Sequence, residues 1–108
     1  MVTPEFLQFV MQAAEEAVSF RGDEAELAAR AREGDQAAVA ELTRAYLAIA
    51  VLTGLRLRPL WLPEPDAAQE AIIVLGRMIK GGSTTIALEF PAAIRTAFGR
   101  LRKPTDEP

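Results

Sequence analysis

Residues 26–49 read ELAARAREGDQAAVAELTRAYLAI, two helix-period runs divided by Gly34-Asp35. Glycine closes a helix at little steric cost, and an aspartate side chain accepts from the free N–H groups that open the next one. The pair therefore spells a stop followed at once by a start. Upstream, a short helix begins near Asp23, with Glu26 at the capping-box spacing, and runs through Leu27, Ala28 and Ala31 to Gly34. Downstream, the spacing predicts a helix from Gln36 to about Leu55. Its inner side is expected to carry Val39, Leu42, Ala45, Tyr46, Ile49, Ala50 and Leu52 or Thr53, with Gly54 loosening its end.

The flanks extend this helical pattern. Thr3 and Pro4 suit the cap and first position of a helix over about 3–20, in which Phe6, Phe9, Val10, Ala13, Ala17 and Phe20 recur at helical spacing before Arg21 and Gly22. RLRPLWLPEP, residues 56–65, cannot stay a regular helix, because Pro59, Pro63 and Pro65 remove donors and push their predecessors toward extended geometry. Trp61 in this connector is read as a pin onto the core, with a base-stacking platform as the alternative. A fourth helix begins near Pro65 or Asp66 and stops at Gly81-Gly82. Residues 83–89 read as an extended loop or an extra turn. A last helix follows from Phe90 or Pro91, with Pro91 near its first position and Ile94, Ala97, Phe98 and Leu101 inward. The expected architecture is all-α, a compact bundle of four to five helices in a single domain over residues 1–103, with 104–108 frayed.

Composition narrows the chemistry. The 108 residues are 50% hydrophobic and 25% charged, alanine-rich, with five Phe, Tyr46 and Trp61 as the aromatics. With no Cys and no His, the chain has no disulfide, no thiolate ligand and no imidazole base. The acid pairs Glu15/Glu16, Asp23/Glu24 and Glu64/Asp66 sit where capping and solubility explain them, so no catalytic residue, metal or cofactor is expected. Gly81-Gly82 before Ser83-Thr84 lacks the lysine of a phosphate-binding loop and reads as a helix end. No leader-like start and no run of eighteen uninterrupted apolar residues is found, which points to a cytoplasmic protein without membrane contact.

DAAQEAIIVLGRMI, residues 66–79, carries the candidate binding surface. Asp66, Gln69, Glu70, Ile73 and Arg77 form one stripe of the helix, and Ala68, Ala71, Ile72, Leu75 and Ile79 form another. A helix apolar on more than one side is either deep in a core or in contact with a partner. Charge is divided as well: residues 1–42 hold nine acids and three arginines, whereas residues 71–103 hold six bases and Glu89 alone as acid. Any phosphate contact should concentrate at that basic end, although bases near a helix C-terminus also complement its dipole.

AELAARAREGDQAAVAELTRAYLAI and DAAQEAIIVLGRMI resemble, in order, the opening and the core-binding helix of the second region of bacterial sigma-70 family initiation factors, and AAIRTAF is similar to the family's promoter-reading helix. The resemblance spans residues 24–102. On helix four it rests on Asp66, Gln69, Glu70, Leu75 and Arg77, and on the last helix on Ile94 and Arg95. It implies a helical domain that docks on a coiled coil of the RNA polymerase largest subunit, with Asp66, Gln69 and Glu70 making charge-assisted contacts and Ile73 as an apolar anchor. Family members hold flipped bases on aromatic side chains, where this chain has Ala92 and Ala93. Base stacking is worth about 1–3 kcal/mol per base, so the resemblance implies polymerase binding in transcription initiation or its regulation without autonomous promoter melting. Aligning Ser83-Thr84 with the family pattern leaves extra residues before Ile94-Arg95, so residues 81–93 have no single alignment. Phe90, Arg95, Arg100, Arg102 and Lys103 are left as candidates for weak, salt-dependent DNA contact. The alternative is a small helical interaction module, possible as a homodimer through residues 72–75, with no role in transcription.

Overall fold

The computed structural model describes residues 4–18 and 23–102, and within 4–18 it leaves aside the side chains at 10 and 13–18. Among the described residues there are five helices and no strand: α1 Pro4–Val18, α2 Glu24–Arg32, α3 Gln36–Leu57, α4 Glu64–Lys80 and α5 Ile86–Arg100. The expected cap at Thr3, the inward Phe20, the stop at Arg21-Gly22, the inward-facing side chains of Val10, Ala13 and Ala17, and the tail 104–108 lie outside the described residues.

The α2–α3 corner is built as its residues require. Asp23 caps α2 by accepting from the N–H groups of Ala25 and Glu26 at 3.0 and 3.2 Å. Gly34 takes φ +96, a conformation that a side chain would strain. Asp35 then caps α3 through Oδ1, which accepts from Ala37 and Ala38, while Oδ2 accepts from the Arg30 guanidinium at 2.8 Å. One carboxylate thus opens α3 and ties it to α2. The Arg30 hydrogen bond, followed by the Ala38 N–H, holds the Asp35 carboxyl below its ordinary pKa.

Helix α3 is the hub, in contact with α1, α2, α4 and α5. By length and apolarity it passes for a membrane-crossing segment, and here four helices pack on it while part of its surface stays open. That arrangement corrects its inner face. Ala38, Leu42, Ala48, Ala50, Val51 and Gly54 are buried, whereas Ile49 and Leu52 are half-exposed. A helix packed on several sides has no single inward stripe, so one-sided periodicity misplaces residues. Gly54 is corrected too: α3 continues to Leu57, and a Cβ at 54 would lie 2.8 Å from the Ala71 Cβ. The glycine allows α3 and α4 to approach closely.

The main core joins α2 through α5 around Leu42, Leu75, Ile79, Ile86 and Ile94, each essentially inaccessible. A smaller cluster, Val51 and Ala68, is covered by Phe6 of α1. Helix α4 stops as expected, with Gly81 as C-cap and Gly82 at φ +79. Helix α5 departs from expectation by starting at Ile86, which leaves Pro91 inside it. The reason is burial: Ile86, Phe90, Ile94 and Phe98 recur every fourth residue and all face the core. Adding a helical turn to bury Ile86 outweighs the hydrogen bond that Pro91 cannot donate.

Candidate docking groove

The connector decides what α4 presents. Helix α4 opens at Glu64-Pro65, where proline costs no hydrogen bond, and no side chain caps it; Asp66 lies in its first turn. Before it, Leu62 N–H donates to the Pro59 carbonyl at 3.0 Å, and the Arg58 guanidinium donates to the Leu62 carbonyl at 2.8 Å. This turn drives Leu62 into the core, leaves Leu60 in solvent and holds Trp61 half-buried against the core. Leu62 is therefore the fully buried pin, and Trp61 keeps part of its ring outside.

That ring borders a groove of about 460 Å³. Asp66, Gln69, Glu70 and Ile73 of α4 line one side of it, and Leu101 and Arg102 contribute from the end of α5. Asp66, Gln69 and Ile73 are exposed, with Ile73 at 42%, and Glu70 is partly so. Among the described residues, neither acid nor Arg102 forms an ion pair. Arg77 continues the exposed face but does not line the groove. Ile72, on the second stripe with Ala68, Ala71, Leu75 and Ile79, is 41% exposed; Ala67, Ala68, Ala71, Val74, Leu75 and Ile79 are the buried set.

A second open hollow, of about 430 Å³, adjoins the first and shares Trp61 and Leu101 with it. Its other walls include Leu57, Pro59 and Phe98, with Arg95 as its charged group. Arg95 is exposed, as are Arg100 and Arg102, while Lys103 lies outside the described residues. Phe90 is 2% exposed, which corrects its candidacy for base stacking, since its ring is sealed in the core; the period-four stripe that begins at Ile86 puts it there. Phe98 is buried as its inward position predicts.

The structure thus gathers Asp66, Gln69, Glu70 and Ile73 into one groove and adds Arg102, which composition had grouped with the phosphate candidates. Trp61 is the groove residue that sequence reasoning weighed only as a pin or a base platform. The available signal was its setting between Pro59 and Pro63, which holds an aromatic at the surface of a stiff turn. The chain matches no family model, no curated protein and no solved structure.

Proposed function

We propose that this chain is a protein-docking domain, that the α4 groove is its contact surface, and that its partner is the RNA polymerase core, in transcription initiation or its regulation. The observation that carries the docking reading is the juxtaposition of an exposed Ile73 with Asp66, Gln69 and Glu70 along a groove that also holds Trp61. An apolar anchor beside an aromatic, rimmed by charges that form no ion pair among the described residues, is the makeup of an interface centre. The partner's identity comes from the sigma-factor resemblance of the same helix. Strand opening is no part of this reading, because α5 offers buried Phe90 and Phe98 and no exposed aromatic.

Retention on immobilised core polymerase is the test. Wild type should be retained, and Asp66→Arg with Glu70→Arg should abolish retention while leaving the helical circular dichroism spectrum unchanged. Failure of the wild type to bind ends the polymerase reading, and equal binding by the double variant ends the assignment of the face. A second reading has its own observation: Ile72 and Ile73 are both more than two-fifths exposed on α4. Self-association through them would give a concentration-dependent dimer in light scattering, abolished by Ile73→Glu.

A further inference from the structure

The two hollows beside Trp61 differ in charge. Asp66 and Glu70 line the α4 side of the first, with Arg102 at its α5 end, and Arg95 is the charged group of the second, with Trp61 and Leu101 as the wall common to both. Among the described residues, no ion pair quenches any of these charges. Both hollows are open to solvent, so they suit a partner's surface better than an enclosed small molecule. Arg95 stands beside apolar walls formed by Leu57, Pro59 and Phe98, and its guanidinium can take a carboxylate in paired hydrogen bonds.

We infer that the paired hollows bind one polypeptide segment whose basic side chain faces Asp66 and Glu70, whose apolar side chain rests on Trp61, and whose acidic side chain reaches Arg95. The inference rests on the docking reading of the α4 face and adds the Arg95 hollow and the charge order of the partner. Charge complementarity at the two ends fixes the segment's chemistry, and the aromatic between them supplies the anchor. Arg95 on this account serves a protein carboxylate and not a phosphate.

Selection of displayed random peptides on the full chain tests it. Enriched peptides should combine a basic, an apolar and an acidic residue, and should bind Trp61→Ala or Arg95→Glu about tenfold more weakly or worse, as interface anchors do. Replacing a selected peptide's acid by lysine should cost binding to the wild type and restore it to Arg95→Glu. Arg100→Glu, an exposed base outside both hollows, should leave binding unchanged. Because Arg95 is exposed, its variant keeps the test valid even if Trp61→Ala fails to fold. No enrichment over a blank surface, or peptides indifferent to Arg95→Glu, overturns the inference. So does a single-stranded oligonucleotide that binds the wild type and is lost with Arg95→Glu. A chain that selects such peptides yet ignores core polymerase sinks the polymerase reading and leaves this one standing.

Discussion

Gly54 sets the distance between the two longest helices. Alanine is favoured over glycine in a helix interior by about 1 kcal/mol, so an exposed site would gain from Gly54→Ala. Here the new Cβ would meet the Ala71 Cβ at 2.8 Å, and the Ala67 carbonyl oxygen lies 3.4 Å away. Neither is the tip of a flexible side chain, so relief requires moving a helix, and overpacking of this kind costs about 1–3 kcal/mol. Gly54→Ala is expected to lower the urea midpoint, and Ala71→Gly in the same chain should show a favourable coupling of roughly 0.5–3 kcal/mol in a double-mutant cycle. A raised midpoint in the single variant would mean that the helices part without cost. At Asp23, whose carboxylate accepts two N–H groups, Asp23→Ala should cost about 1 kcal/mol by the same measurement. Asp35 adds a pH dependence. Its folded pKa lies below the unfolded value, so its contribution is complete above the ordinary aspartate range and is lost as pH falls through the folded pKa. Asp35→Asn keeps a capping side chain but not the charge, so its stability should fall less steeply in that acid window than the wild type's; equal slopes would deny Arg30 and Ala38 their hold on the carboxylate.

Among the elements, those bounded by local chemistry were legible: Asp23, Gly34-Asp35 and Gly81-Gly82 announce their helix ends because a cap or a positive φ involves only neighbours in sequence. The exposed stripe of α4 was legible for the same reason, since helical spacing alone places Asp66, Gln69 and Ile73 together. What the sequence hid depends on packing from afar. The start of α5 turned on the burial of Ile86, and Pro91 pointed the other way as the usual mark of a first turn. Arg102 and Trp61 belong to the α4 groove only because α5 ends beside the connector. Pro91 offers a direct check on that competition. It supplies no N–H to the fourth carbonyl before it, and interior proline costs a helix about 3 kcal/mol, less whatever proline saves by restricting the unfolded chain. Pro91→Ala should therefore raise the thermal midpoint, and a fall would show that the proline ring contributes packing that its backbone cost conceals.

Across the whole molecule, the packing divides unevenly. Among the described residues, the main core draws on α2, α3, α4 and α5 and takes none from α1, whereas α1 contributes Phe6 to the small Val51–Ala68 cluster. Among the described residues, helix α1 contacts α3 and no other helix. Stability that is local in this way opens locally, since a unit packed on a single neighbour can detach at less than the global unfolding free energy. Removal of residues 1–22 should then leave a chain that still melts cooperatively by circular dichroism, at a lower temperature, because α2 through α5 keep their shared core. The loss should expose Val51 with its neighbours Leu47 and Leu55 and increase binding of a hydrophobic dye. Native-state amide exchange on the full chain should rank α1 amides below those of α3 and α4. Loss of the cooperative transition on truncation would show instead that α1 is part of the folding unit. The docking groove draws its walls from the connector, α4 and the end of α5, so the truncated chain should select the same peptides as the full one, and the molecule's binding surface would then stand independent of its first helix.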